Sequence, residues 1–174
     1  HVVLRSLDSV VLPTQGYTLA LQGGFGQSHG NPDRSGWFGR AYSRLTVYSP
    51  LGASWYAQGR LEAGQVVRGQ NVGAPESQLF RAGGDDSVRG YGYRQLGPIV
   101  DGSVTSGGAL ATASVELARP FSASLPSLWG AVFVDAGRAA TSFKSLDPAV
   151  GAGFGLRWRS PVGPLKLDLA RDIE

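Results

Sequence analysis

The stretch Phe80-Arg-Ala-Gly-Gly-Asp-Asp-Ser-Val-Arg-Gly-Tyr-Gly-Tyr-Arg-Gln-Leu-Gly-Pro98 divides the chain into two regions of alternating apolar and polar residues. It holds five glycines, three arginines, two tyrosines and the adjacent acids Asp85 and Asp86. No strand or helix pattern runs through it, so the sequence predicts a long loop over residues 70–106. A loop of this length without secondary structure of its own is usually functional or disordered, and its arginines and aromatic residues indicate specific contacts.

The regions on both sides of the loop have the period of β-strands with two different faces. In the segment 150–159 the even positions are Val, Ala, Phe, Leu and Trp, whereas the odd positions are Gly, Gly, Gly, Arg and Arg. Related patterns predict eight strands, near 1–9, 17–25, 40–48, 55–64, 109–118, 130–135, 150–159 and 165–169. Short turns are predicted at 13–16, 49–52, 119–127 and 160–163, and longer loops at 28–36, 70–106 and 138–147. The expected fold is therefore all-β, an antiparallel meander.

The amino-acid composition excludes several classes of function. The chain of 174 residues has 26 glycines and 17% charged residues, which fits one turn-rich domain. It has no cysteine and two histidines, so we predict no thiolate site, no metal and no cofactor, and we assign Asp85 and Asp86 to a turn. The net charge of +3 is spread along the chain, which argues against nucleic acid as a partner. No spacing of Ser, His and acid indicates a catalytic triad, so we expect a protein that is not an enzyme.

The two faces of the strands distinguish a soluble sandwich from a membrane barrel. No apolar run is long enough for a membrane helix. The apolar faces carry Tyr17, Trp55 and Trp158 near strand ends, where barrels place an aromatic girdle. The opposite faces carry charged residues, namely Arg40, Arg44, Arg60, Glu62, Glu116, Asp135, Arg157, Arg159, Lys166 and Asp168. This pattern favours an outer-membrane barrel with a wet lumen, although eight strands alone would leave little room for a long inserted loop.

Three motifs carry a resemblance to a known family. The segment Phe80-Arg-Ala-Gly-Gly-Asp-Asp-Ser-Val-Arg-Gly-Tyr91 resembles the sixth-loop signature of the BamA/TamA superfamily of outer-membrane insertases and secretion pores. Trp129-Gly-Ala-Val-Phe-Val-Asp-Ala-Gly137 resembles its Asp-containing strand, and Gly155-Leu-Arg-Trp-Arg-Ser-Pro-Val-Gly-Pro-Leu-Lys-Leu-Asp168 its penultimate hairpin. The three in this order most resemble the TamA-type branch, the translocation and assembly module.

The resemblance implies an architecture larger than this chain. Residues 1–174 would form the C-terminal part, roughly half, of a sixteen-stranded outer-membrane β-barrel, with the loop 70–106 folded into the lumen. Upstream strands, the periplasmic POTRA domains and the last strand would lie outside it. The implied location is the outer membrane of a Gram-negative bacterium.

The resemblance also implies partners and a function. The partners would be the lipid bilayer, unfolded outer-membrane protein clients such as autotransporters, and a TamB-like inner-membrane-anchored protein. The function would be the insertion of autotransporters and other β-barrel proteins. A two-partner secretion transporter pore, or a passive porin or adhesin barrel, remains an alternative.

The resemblance assigns Arg89, in the motif Val88-Arg89-Gly90-Tyr91, to acidic partners on the inner wall. By position these are Glu116 and Asp135, and both fall on the polar face of their strands. A guanidinium can engage two carboxylates, whereas a solvated surface loop would leave all three groups in water. Tyr91 and Tyr93 are expected to offer rings on which arginine can stack. The predicted loop motif comprises Gly83, Gly84, Asp85, Val88, Arg89, Gly90 and Tyr91.

Overall fold

The computed structural model describes residues 1–29, 35–69, 72–160 and 163–173. Its strands are β1 (Val2–Leu7), β2 (Gly16–Ser28), β3 (Gly36–Leu51), β4 (Trp55–Arg68), β5 (Ile99–Val100), β6 (Ser103–Val104), β7 (Ala109–Ser122), β8 (Leu125–Ala140), β9 (Ala149–Ser160) and β10 (Gly163–Ile173). Eight of them form one sheet in the order β1-β2-β3-β4-β7-β8-β9-β10, while β5 and β6 form a separate hairpin. Every neighbouring pair is antiparallel, which confirms the predicted all-β meander.

The sheet has an inner face, against which the long loop packs, and an outer face that is exposed. On β8, Phe133 and Asp135 are 3% and 0% exposed, whereas Val132 and Val134 between them are 52% and 51% exposed. Alternation of this kind follows from the two-residue period of a strand. The outer face is therefore apolar and the inner face carries the charged side chains, as the sequence pattern predicts.

Aromatic side chains lie near both ends of the outer face. Tyr17, Trp55 and Trp158 are exposed near the end where the short turns lie. Phe25 and Trp37 lie towards the other end, with ring centroids 6.1 Å apart. Tyr17 and Phe25 are on the same strand, and at about 3.3 Å per residue their eight-residue separation corresponds to roughly 26 Å. That length matches the apolar band of a membrane barrel.

Two connections differ from the sequence prediction. The turn predicted over 119–127 is wrong, because β7 and β8 continue into this segment and leave only the two residues between Ser122 and Leu125 for the turn. Pro120 is accommodated beside a register shift, where the ladder does not require its missing N–H. The loop predicted over 138–147 begins later, because β8 continues to Ala140. The predicted turn at 49–52 is also displaced, since β3 continues to Leu51. Parts of the predicted segments 28–36, 160–163 and 70–106, namely residues 30–34, 161–162 and 70–71, lie outside the described residues.

The long loop has secondary structure of its own, contrary to the expectation from sequence. It contains a short 3-10 turn (Glu76–Gln78), the β5–β6 hairpin, and isolated bridges that pair Phe80 with Gly107 and Ala82 with Leu96. Its apolar residues form a core with the inner face of the sheet, and the members are Val66, Phe80, Ala82, Val88, Leu96, Leu110, Ala139 and Ala149. The core thus lies between the loop and the wall. No helix in the described parts of the chain is long and apolar enough to cross a membrane.

Candidate functional site

Arg89 lies at the tip of the inserted loop and is only 8% exposed. Its Nε donates to Oδ2 of Asp135 at 2.7 Å and its Nη2 donates to Oδ1 at 3.0 Å. The main-chain N–H of Arg89 also donates to Oδ2, at 3.0 Å. Three charge-assisted hydrogen bonds therefore converge on one carboxylate that is completely buried. They fix both the backbone and the side chain of Arg89 against β8.

The same guanidinium reaches two further carboxylates. Its Nη1 donates to Oε2 of Glu116 on β7 and to Oδ2 of Asp168 on β10, both at 3.0 Å. Arg157 on β9 contacts the same two acids: its Nε and Nη2 donate to Glu116 at 2.9 and 2.7 Å, and it forms an ion pair with Asp168. Arg89, Glu116, Arg157 and Asp168 thus form a ring of alternating charges. With Asp135, the ring joins the loop to β7, β8, β9 and β10.

An aromatic ring completes the surroundings of Arg89. The guanidinium carbon lies 3.3 Å from the ring centroid of Phe133, which is a cation–π contact. Tyr91 and Tyr93 stack on no arginine among the described residues, contrary to the expectation, and the rings that contact arginine there belong to other residues. Tyr91 instead donates its hydroxyl hydrogen to the carbonyl of Val150 at 3.2 Å, and Tyr93 is 81% exposed.

Charge pairing maintains the network in its ionised form. Burial alone lowers the pKa of the Arg89 guanidinium, but its hydrogen bonds to Asp135, Glu116 and Asp168 outweigh burial and raise the pKa above the ordinary value. Arg89 therefore stays charged at any physiological pH. Because two guanidinium groups face three carboxylates, a single substitution leaves a buried group without its partner, which is costly.

Glycine allows the loop to approach the wall closely. A Cβ on Gly151 of β9 would lie 1.9 Å from the carbonyl oxygen of Arg89. Gly90 adopts a φ of +97°, and its Cβ would lie 2.7 Å from the backbone of Arg171 on β10. Backbone contact at both sites leaves no room for a side chain. Of the three glycines on the inner face of β9, Gly151 thus lies where loop and wall meet.

Other members of the predicted loop motif have different positions. Val88 is completely buried in the apolar core, and Gly83 and Gly84 have φ values of +99° and +100°. Asp85 is exposed in a turn and forms no ion pair with any residue that the structure describes. The structure therefore brings Arg89 together with Glu116 and Asp135 but leaves Asp85 apart. Within residues 1–29, 35–69, 72–160 and 163–173, no group of three or more His, Cys, Asp and Glu could hold a metal ion.

The loop is also attached to β3 and β4. Nε of Arg40 donates to the carbonyl of Gln78 at 3.1 Å, and its guanidinium lies 4.7 Å from the ring centroid of Phe80. Nη2 of Arg60 donates to the carbonyl of Ser87 at 2.7 Å. The described part of the inserted loop therefore contacts at least six of the eight strands of the sheet.

Sequence reasoning missed Asp168, Arg157 and Phe133 as partners of the site. The alternation of side chains along the strands could have identified two of them, because Asp168 and Arg157 lie on the charged face of the penultimate-hairpin motif. Gly155 is paired with Asp168, and a Cβ there would lie 1.9 Å from Oδ1 of Asp168 and 2.8 Å from Nη1 of Arg157. The absence of a side chain at this position gives the ion pair its space. That relation depends on the register between β9 and β10.

Comparisons with known proteins agree with this architecture. The Omp85 superfamily domain matches residues 1–174. The chain is 35% identical over 104 residues to outer envelope protein 39, chloroplastic, from Arabidopsis thaliana, covering 53% of this chain and 26% of that protein. It is 28% identical over an alignment of 179 residues to outer membrane protein assembly factor BamA from Nitratidesulfovibrio vulgaris, covering 96% and 22%.

A solved structure has the same fold. The crystal structure of BamA from Haemophilus ducreyi lacking POTRA domains 1-3 superposes with a TM-score of 0.77 at 24% identity, covering 97% of this chain and 37% of that one. This likeness confirms the predicted fold class, an antiparallel part of an outer-membrane barrel. The chain spans between 22% and 37% of the length of these two bacterial proteins.

Proposed function

This chain belongs to the Omp85 superfamily, and we propose that it forms part of an outer-membrane assembly factor that inserts β-barrel proteins. The predicted location, the outer membrane of a Gram-negative bacterium, is confirmed by the family match and the bacterial relatives. The assembly role is supported by the relative that bears the name of assembly factor.

The observation that carries the proposal is that a ring of alternating charges attaches the inserted loop to the strands at one edge of the sheet. Asp168, one member of the ring, lies on β10, the outermost strand on that side of the described sheet. Unpaired backbone groups are costly in lipid, so a client strand is stabilised when it pairs with an existing strand edge. A wall that offers such an edge needs an internal brace. Arg89 supplies one, because its side chain binds acids on β7, β8 and β10 from inside.

The finer assignment is TamA-type, with autotransporters among the clients and a TamB-like inner-membrane-anchored partner. It is supported by the order of the three sequence motifs that surround Arg89, Asp135 and Asp168. The proposed placement of residues 1–174 in the C-terminal half of a sixteen-stranded barrel, with POTRA domains upstream, has the same basis. In this role the protein is not an enzyme, because its work is strand pairing and bracing.

The test is client insertion by the full-length protein in liposomes. We expect Arg89→Ala to slow the appearance of a folded, protease-resistant client by at least about tenfold, which corresponds to ~1.4 kcal/mol. Arg94→Ala is the matched control, because Arg94 is an exposed arginine of the same loop outside the charge ring. Insertion by Arg89→Ala at the rate of the unsubstituted protein would overturn the proposal. An autotransporter and a simple barrel, used as parallel clients, test the finer assignment.

A further inference from the structure

A cavity of about 360 Å³ lies on the inner side of the sheet, at the end where the short turns are. The β1–β2 turn covers one side of it through residues 10–14, and inner residues of β7, β8, β9 and β10 form the other side. Nη2 of Arg159 on β9 donates to the carbonyl of Leu12 at 2.7 Å, across 147 positions of sequence. This bond fastens the turn over the cavity. The cavity is separate from the site of Arg89, although Glu116 and Arg157 border both.

Basic side chains outnumber acidic ones around this cavity. The lining contains one acid, Glu116, and four basic residues, Arg5, Arg157, Arg159 and Lys166. Arg157 already forms ion pairs with Glu116 and Asp168. Neither Arg5 nor Lys166 forms an ion pair within the described ranges of the chain. Positive charge that converges in a concave site focuses its field on an anion.

A further acid near the cavity, Asp8, forms no ion pair with Arg5, Arg159 or Lys166. The carboxylate of Asp8, in the β1–β2 turn, accepts hydrogen bonds from the hydroxyl and main-chain N–H of Thr14 and from the main-chain N–H of Gln15. Its oxygens are therefore committed to the turn. Arg159 itself donates to an uncharged carbonyl and lies 4.3 Å from the ring centroid of Trp129. Arg5, Arg159 and Lys166 are left to face the cavity.

Most of the rest of the lining is apolar or aromatic, and its polar members are Thr14, Thr18 and Gln58. Val10 and Val11 in the turn are 72% and 51% exposed, an unusual choice for a turn surrounded only by water. Opposite them, the rings of Tyr56 and Trp129 form a tilted pair with centroids 4.7 Å apart. A ligand that matches this site carries a negative group beside an apolar one.

We propose that this cavity binds an acidic segment of an extended client polypeptide, with a carboxylate held by Arg159 and Lys166 and a neighbouring apolar side chain against Val10 and Trp129. The inner face favours a peptide over a lipid, because the lipid-facing side of the sheet is the opposite, apolar one. The inference rests on the proposed function for the identity of the ligand. In this inference the cavity is a site that the client polypeptide contacts early, before it reaches the strand edge.

The test is binding of a fluorescent peptide of alternating Leu and Asp to the full-length protein in nanodiscs, measured by anisotropy. A matched peptide of Leu and Asn has the same length and no charge. We expect the acidic peptide to bind more tightly than the neutral one, and both Arg159→Gln and Lys166→Gln to weaken it by about 3- to 10-fold. Arg68→Gln, the same change at an exposed position at the other end of β4, is the control and should bind like the unsubstituted protein.

Equal binding of the two peptides, or unchanged binding in both cavity variants, would overturn the inference. The difference in binding between the two peptides could disappear in nanodiscs of anionic lipid and return in nanodiscs of zwitterionic lipid. That result would assign the cavity to a lipid anion and would also overturn the inference. Gel migration of the unheated variants shows that each barrel is folded. Binding is read without insertion, so a protein that binds the acidic peptide selectively but inserts no client contradicts the proposed function and leaves this inference standing.

Discussion

Nη1 of Arg89 lies 3.0 Å from Oδ2 of Asp168, although 79 positions separate the two residues in sequence. This contact joins the tip of the inserted loop to β10. Arg157 binds the same carboxylate and also binds Glu116, so β10 is held through a ring and not through a single pair. Docking of the loop and the position of β10 are therefore energetically coupled, which leads to the following expectations.

Replacement of Arg89 tests the need for a forked guanidinium. Lysine keeps the charge but is a point donor, so Arg89→Lys cannot serve Asp135, Glu116 and Asp168 together. We expect Arg89→Ala to weaken loop docking by about 3–5 kcal/mol, because buried carboxylates lose their partner. Arg89→Lys should recover only part of that loss. Limited proteolysis at Arg81 in the folded barrel measures docking, and equal protection in Arg89→Lys and the unsubstituted protein would contradict the argument.

The acids test whether the network acts as a unit. We expect Asp135→Ala and Glu116→Ala each to impair assembly to a degree similar to Arg89→Ala. The combination of Arg89→Ala with Asp135→Ala should be less damaging than the sum of the two, by about 2 kcal/mol or more, because the second change removes a charge that the first left unpaired. Chemical unfolding of the barrel measures this coupling. Strict additivity would show that the two residues act independently.

The close approach of loop and wall gives a steric prediction. In Gly151→Ala the new Cβ would lie 1.9 Å from the carbonyl oxygen of Arg89, which is backbone and cannot move away alone. We expect loss of loop protection close to that of Arg89→Ala. Gly24→Ala is the control, because it adds the same methyl group within β2, where no atom lies within 4 Å. If both variants were protected equally, the loop would not need this approach.

The sequence predicted the eight strands of the sheet, their two faces and the polar parity of Glu116 and Asp135, because these depend on a two-residue period that local composition displays. It did not predict the stacking of Arg89 on Phe133 or its contact with Asp168. Both contacts depend on how far the loop extends along the inner face of the sheet and on the register of distant strands, and no local sequence pattern encodes either. The turn predicted at 119–127 failed for a related reason, since β7 continues past Pro120 with a register shift that depends on its pairing with β8.

The Asp8 carboxylate gives a pH prediction outside the spanning strands. The hydroxyl of Thr14 and the main-chain N–H groups of Gln15 and Thr14 donate to it and lower its pKa below the ordinary value. Because the folded-state pKa is depressed, its stabilisation of the β1–β2 turn is fully present above about pH 4, the unfolded pKa. It is lost as pH falls through the folded-state pKa. NMR titration of Asp8 should show the low pKa in the unsubstituted protein and a shift towards the ordinary value in Thr14→Val, whereas an ordinary pKa in the former would contradict the bonding described.

Conductance distinguishes a braced assembly factor from a passive porin. The described part of the inserted loop packs against the inner side of the sheet and contacts at least six strands, so the full-length protein in planar bilayers should show low conductance with rare openings. Arg89→Ala removes the side-chain bonds of the loop to three of those strands, β7, β8 and β10. We expect the frequency of wide openings to rise by at least about tenfold, a factor that needs only ~1.4 kcal/mol of the docking energy that is lost. Arg94→Ala, which changes an exposed arginine of the same loop, should conduct like the unsubstituted protein. A large and constant open pore, the same in both variants, would favour the porin alternative, because only a loop that occupies the lumen can restrict it.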